Sequence, residues 1–206
     1  QYLMDSDSTR RLVFGTLLND WDYTIESLAA ALDGDKFAPD LLSEAEVNAY
    51  QTRVLADAPL HVQADVQEWM VGSLEANFAE EWVAEAQAMT KRPPVDLRVN
   101  TLKATRDKVA RALQRAGAAP SAIARNGLRI AAGQGASRQP NVQAEAAFQK
   151  GWFEVQDEGS QIVADLVYAR PGEQVLDFCA GAGGKTLAMA ATMENRGQIH
   201  AFDADK

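Results

Sequence analysis

The stretch Val175-Leu176-Asp177-Phe178-Cys179-Ala180-Gly181-Ala182-Gly183-Gly184-Lys185-Thr186 carries an apolar strand into an acidic residue and a glycine-rich turn, then into an apolar helix from Thr186 to Thr192. Glycines at a strand's carboxyl end let backbone N–H groups approach a ligand that side chains would exclude. The next apolar segment, Gln198-Ile199-His200-Ala201-Phe202, ends on Asp203. In nucleoside-binding α/β sheets an acid at that place accepts hydrogen bonds from ribose hydroxyls. Asp177 and Asp203 stand 26 residues apart, about one strand–helix–strand unit. The segment reads as the opening of a Rossmann-like nucleoside-cofactor domain.

Three glycine-rich chemistries compete for this turn. A Walker A loop needs Gly-x-x-x-x-Gly-Lys-Ser/Thr. Gly184-Lys185-Thr186 fits its end, but Cys179 stands where the opening glycine belongs. The dinucleotide fingerprint Gly-x-Gly-x-x-Gly would follow Gly181 and Gly183 with a glycine at 186, and Thr186 is there. It lacks the helix-packing glycine. S-adenosylmethionine needs a glycine turn for its methionine moiety and an acid for its ribose, and it alone uses every residue present. A tight βα turn without any ligand is the plainer alternative.

Asp-Phe-Cys-Ala-Gly-Ala-Gly-Gly-Lys-Thr (177–186) resembles the cofactor signature of the Sun/Fmu-like RNA cytosine-5 methyltransferases. Leu97-Arg98-Val99-Asn100-Thr101-Leu102-Lys103 is similar to that family's Arg-x-Asn-x-x-Lys strand. Trp152-Phe153-Glu154-Val155-Gln156-Asp157-Glu158-Gly159-Ser160-Gln161 is similar to its Gln-Asp-x-x-Ser lead-in to the methyltransferase sheet. The likeness covers about 93–206. It implies that the backbone of Cys179, Ala180, Gly181, Ala182, Gly183, Gly184 and Lys185 surrounds the methionine end of S-adenosylmethionine and that Asp203 holds the ribose. It also implies an RNA substrate (rRNA or tRNA), a cytoplasmic setting, no metal, no membrane, and a monomeric full-length enzyme.

The family attacks C6 of cytosine with a cysteine thiolate carried on later strands, in Pro-Cys and Thr-Cys-Ser motifs. The 206 residues contain neither, and their one cysteine is Cys179 in the cofactor loop. No residue is therefore assigned a catalytic role. The chain is expected to be the amino-terminal part of the enzyme, inactive alone. A non-catalytic RNA-binding or assembly module with a vestigial loop is the competing class, and a nucleotide hydrolase a second. With only two strands, 151–206 is expected to expose apolar surface and to be unstable by itself.

At 47% apolar and 24% charged, the composition is that of a globular protein, with length for one or two cores. No apolar run approaches the roughly 18 residues of a membrane span. A single cysteine excludes an internal disulfide framework, and His61 and His200 have no partner at metal-ligand spacing. The net charge of −9 is unevenly spread. Residues 1–90 carry 4 Lys/Arg against 17 Asp/Glu, 91–150 carry 12 against 3, and 151–206 carry 4 against 9. The basic middle is where RNA would bind.

Within 93–150, Val95, Leu97 and Val99 alternate with Asp96, Arg98 and Asn100, a half-buried strand that projects Arg98 and Asn100 to the other face. Thr105 caps a helix through Leu113 that Gly117 stops. Arg111 and Arg115 are i,i+4 neighbours on its polar side. Asn126-Gly127 turns the chain into a short strand, Leu128–Ile130. The result is a small α+β, ferredoxin-like RNA-binding module, with Arg98, Asn100, Lys103, Arg106, Arg111 and Arg115 as its RNA contacts. Aromatic residues are nearly absent from it, which favours backbone over base recognition. Gly133–Pro140 reads as a mobile connection.

Residues 1–92 read as an all-α bundle of five helices. Caps at Ser8 or Thr9, Thr24 and Ser43 precede apolar stripes such as Val13, Leu17 and Leu18, and Leu74, Phe78 and Trp82 follow Ser73 at helical spacing. Lys91-Arg92-Pro93-Pro94 ends the helical region. The expected architecture is thus multi-domain: a helical accessory domain (1–92), the basic module (93–150) and the start of a Rossmann-like methyltransferase sheet (151–206).

Overall fold

The computed structural model describes residues 1–133, 135 and 137–204. It divides into two compact units: Gln1–Arg92 with Gly133–Ser137, and Pro93–Ala132 with Arg138–Lys206.

The first unit is helical, with α1 (Thr9–Asp20), α2 (Ile25–Leu32), α3 (Glu44–Thr52), α4 (Leu60–Gln63), α5 (Val71–Phe78) and α6 (Trp82–Thr90). Local chemistry sets two of the starts. Thr24 Oγ1 accepts the Ser27 N–H at 3.1 Å while Ser27 Oγ accepts the Thr24 N–H at 2.8 Å. Ser43 and Glu46 form the same reciprocal box at α3. Glu46 does more: its carboxylate is 5% exposed and is held by Arg10 and by Arg11 at 2.6 Å, tying α3 to α1. Arg10 above all holds its pKa down, to about 2.

The expected single bundle is replaced by two small cores. Met4, Phe14, Leu18 and Leu28 make one, and Ala64, Leu74, Trp82 and Ala86 the other. Phe14 rather than Val13 faces inward in α1, since Phe14 and Leu18 lie one turn apart on the same side. The Leu74–Phe78–Trp82 stripe is broken at Ala79, whose φ of +49° ends α5 before α6 begins. Leu74 and Trp82 stay buried, while Phe78 and Trp69 are exposed. In 133–140, Gln134 and Ala136 lie outside the described residues; Arg92 donates to the carbonyls of Ser137 (2.6 Å) and Gly135 (3.2 Å).

The second unit opens with β1 (Val95–Val99), α7 (Arg106–Ala112), β2 (Ala118–Pro120), β3 (Gly127–Ile130), α8 (Ala146–Gln149) and β4 (Phe153–Val155). The strands form an antiparallel sheet in the order β2-β3-β1-β4, the arrangement of two interleaved strand–helix–strand units that defines ferredoxin-like topology. Leu97 pairs with Leu128 on one side and Val155 on the other. Thr105 caps α7 by accepting the Lys108 N–H, and Gly117 (φ +77°) closes the turn after it. Leu97, Val99, Val109, Leu113, Leu128, Ile130 and Phe153 build the core between sheet and helices. The short strands β2 and β4 have no clear alternation in the sequence, and β4 carries the sheet past residue 150.

α9 (Glu158–Asp165), β5 (Gln174–Asp177), α10 (Gly184–Thr192) and β6 (Gln198–Ala201) follow. β5 and β6 are parallel, with Val175 opposite Ile199 and Asp177 opposite Ala201. α10 is their crossover, and Met189 and Met193 pack with Ala169 against Val175 and Ile199. Leu176, Phe178 and Phe202 are exposed. α9 packs on α10 and also on β1, so the antiparallel sheet and the strand–helix–strand unit share one compact body.

Candidate functional site

The glycine loop runs from Phe178 to Gly183, between the end of β5 and the start of α10. Gly181 (φ +51°) and Gly183 (φ +82°) lie in the left-handed region, and a Cβ at either would meet nothing within 4 Å. These glycines answer a backbone requirement, not crowding, and the loop presents bare main chain. Four hydrogen bonds stitch it to neighbouring elements. Phe202 N–H donates to the Asp177 carbonyl (2.8 Å) and Ala180 N–H to the Phe202 carbonyl (2.9 Å). Thr186 Oγ1 donates to Asp177 Oδ2 and Gly181 N–H to Asp203 Oδ2, both at 2.6 Å. Asp177 thus anchors the helix start, and Asp203 faces the loop from the end of β6. The structure brings Cys179 through Lys185 and Asp203 to one end of the parallel pair. Cys179 is exposed.

Behind the loop lies a polar seam between β1 and α9. Arg98 Nε donates to Gln156 Oε1 at 2.6 Å, and Gln161 Nε2 donates to the Gln156 carbonyl at 2.8 Å. A Cβ on Gly184 would stand 3.2 Å from Gln156 Nε2, so the side chain that receives Arg98 abuts the first residue of α10. Arg98 is 5% exposed. Burial lowers its pKa, against the attraction of Glu154 and Asp165. Its Nη2 and Gln161 Oε1 have no hydrogen-bond partner among the described residues, and both residues line a cavity of about 20 Å³, room for one water. Beside this pair Asp96 accepts from Arg129 Nε (2.6 Å), Arg129 Nη2 (2.9 Å) and the Glu158 N–H (3.0 Å). Arg129 also pairs with Glu158 at 3.0 Å. Asp157 caps α9 by accepting the Ser160 N–H at 3.3 Å.

The six residues expected to contact RNA separate. Arg98 is interior, because the face of β1 that the alternation exposes is covered by α9. Asn100 is spent on geometry: its side chain accepts the Leu102 N–H (3.1 Å) and shapes the turn that carries Lys103. Lys103, Arg111 and Arg115 are exposed, while Arg106 is half-buried and donates to the Arg125 carbonyl at 3.1 Å. The sequence missed Gln156 as the half-buried partner of Arg98. The only signal was its place in the Trp152–Gln161 stretch.

Residues 66–136 match the ferredoxin-like domain of RsmF/B-like methyltransferases. Over 140 residues the chain is 34% identical to ribosomal RNA small subunit methyltransferase B of Pseudomonas syringae pv. tomato, spanning 66% of this chain and 30% of that protein. The chain belongs to the Sun/RsmB-like methyltransferase family. It spans about a third of the length of the curated relatives it matches. A methyltransferase homolog protein from Pyrococcus horikoshii superposes with a TM-score of 0.60 at 26% identity, over 71% of this chain and 47% of that one. NSun6 from the same organism, solved with SFG, shares the fold at a TM-score of 0.59 and 18% identity, over 68% and 59% of the two chains.

Proposed function

We propose that the chain is the RNA-positioning and cofactor-loop portion of an S-adenosylmethionine-dependent RNA (cytosine-5) methyltransferase, acting in the cytoplasm on rRNA or tRNA as a monomeric enzyme. In this proposal 1–92 is an accessory helical domain, 93–150 positions RNA through residues such as Lys103, Arg106, Arg111 and Arg115, and 151–206 begins the cofactor domain. Family membership supports the reading, and one observation carries it: the Asp203 carboxylate lies 2.6 Å from the Gly181 N–H, at the mouth of a loop with two left-handed glycines.

Those residues fit the cofactor's chemistry. The main chain of Cys179, Ala180, Gly181, Ala182, Gly183, Gly184 and Lys185 would surround its methionine end. Asp203 would exchange the Gly181 N–H for ribose hydroxyls. Lys185 would favour the cofactor's carboxylate by charge. Bound there, S-adenosylmethionine supplies an electrophilic methyl group. Asp177 holds the helix start through Thr186, and Arg98 with Gln156 backs the loop from the interior. No catalytic role falls on Cys179, whose place in the loop suits a main-chain contact.

Calorimetric titration of S-adenosylmethionine, and separately of ATP, into the chain and into Asp203→Ala tests this. Saturable methyl-donor binding lost in the variant is the expected outcome, with circular dichroism showing both chains folded. Saturable ATP binding without methyl-donor binding would overturn it in favour of a nucleotide site at Gly184-Lys185-Thr186.

A further inference from the structure

We propose that Lys103, Lys108 and Lys150, gathered around Gly151 and Trp152, form a site for the phosphate backbone of RNA. The inference rests on the RNA reading above and gives it a place. The three lysines come from separate segments: the turn after β1, the first turn of α7, and the end of α8. The fold sets them together. Lys108 Nζ lies 3.9 Å from the centroid of the Trp152 indole and Lys150 Nζ 5.1 Å from it. Lys103 Nζ lies 2.7 Å from where a Cβ on Gly151 would stand.

Three ammonium groups in one place repel one another unless something offsets the charge. Among the described residues no carboxylate does: none of the six ion pairs involves Lys103, Lys108 or Lys150. The indole face offsets part of it, since its quadrupole attracts two of the cations and holds them in position. All three lysines are exposed. A polyanion is the ligand that completes the arrangement, and a phosphodiester chain engages such ammoniums as point charges. The turn is shaped for it: Asn100 N–H donates to the Trp152 carbonyl at 2.9 Å, and the Asn100 carbonyl accepts the N–H of Lys103 at 3.0 Å. Gly151 (φ +66°) leaves room for Lys103 that a larger residue would take.

The fold also says why the backbone and not the bases is engaged. Single-stranded RNA commonly stacks on aromatic residues displayed by an open sheet face. Here one face of β1 carries the apolar core and the other, bearing Asp96 and Arg98, is covered by α9. The cationic cluster lies at the end of β1 and beside β4, where RNA can reach it.

The test is fluorescence anisotropy of a labelled single-stranded RNA oligonucleotide with the full 206-residue chain, from 50 to 200 mM salt. Lys108→Gln and Lys150→Gln are each expected to weaken binding roughly threefold to tenfold and to lower the salt slope by about 0.7. Trp152→Leu keeps every charge yet is expected to weaken binding about threefold by releasing the lysines. Lys36→Gln makes the same charge change in the acidic helical unit and is expected to leave both quantities unchanged. Wild-type affinity and slope in all three site variants would overturn the site and leave the RNA reading standing. Absence of binding by the wild-type chain at 50 mM salt would overturn both. A poly-glutamate peptide displacing the RNA at equal charge concentration would overturn the assignment to a nucleic-acid backbone.

Discussion

Asp96→Asn should loosen the seam that joins the antiparallel sheet to α9. The carboxylate is 7% exposed and accepts three donors, two from Arg129 and one from the Glu158 main chain. An asparagine keeps one acceptor oxygen and turns an NH₂ toward a donor. Either the guanidinium loses its bidentate partner or the first N–H of α9 loses its acceptor. Breaking a well-buried pair costs about 3–5 kcal/mol. Arg129 retains Glu158 at 3.0 Å and its side chain is 42% exposed, which brings the expected loss to about 2 kcal/mol. For a chain of this size that is a fall in Tm of about 4–8 °C, measurable by circular dichroism at pH 7. The acid dependence gives a second reading. Arg129 above all holds the Asp96 pKa below its ordinary 3.8. The ionised form therefore contributes fully above that value, and the contribution is lost as pH falls through the lower folded value. The gap between wild type and variant should narrow below about pH 4. A Tm change under about 1 °C at pH 7, or a gap that widens on acidification, would refute the reasoning.

Glu46→Gln should show the same acid signature in the helical unit: with a folded pKa of about 2 against 4.5, its contribution of about 3 kcal/mol is nearly complete above pH 4.5 and nearly gone near pH 2. Urea unfolding of both chains across that range checks it. Gly197→Ala should destabilise by about 3 kcal/mol, because its φ is +123° and a Cβ would stand 2.4 Å from the Glu173 carbonyl oxygen. Gly181→Ala, with a positive φ but open space, should cost only about 1 kcal/mol in the same denaturation assay. Thr186→Val removes the hydroxyl bound to Asp177 and should lower stability by about 1 kcal/mol, with hydrogen exchange rising first at the start of α10.

The glycine loop's geometry was legible because its signal is local. Positive φ at Gly181 and Gly183, a helix starting at Gly184 and an acid ending the next strand are all written in neighbouring residues. The caps at Thr24, Ser43 and Thr105 were legible for the same reason. The strand β1 was legible too, but the fate of its polar face was not. Alternation says that Asp96 and Arg98 point away from the apolar core, and it is silent on what covers them. The cover is α9, 60 residues downstream, and it converts an expected RNA contact into a buried partner of Gln156. Strands β2 and β4 are only three residues each, too short for periodicity to register, and are defined by pairing with β3 and β1. The helical stripe at 74–82 failed at one residue, Ala79, whose backbone angle no pattern of apolar residues encodes.

The covering of β1 by α9 has a consequence for heredity. A gene fusion or recombination that joined a foreign partner after residue 150 would discard β4 and α9 together. It would leave Asp96 with Arg129 but without the Glu158 N–H, and Arg98 without Gln156, on a face of β1 that α9 no longer covers. The ferredoxin-like sheet is not a cassette to be shuffled alone: selection that preserves it must carry along the helix that follows β4.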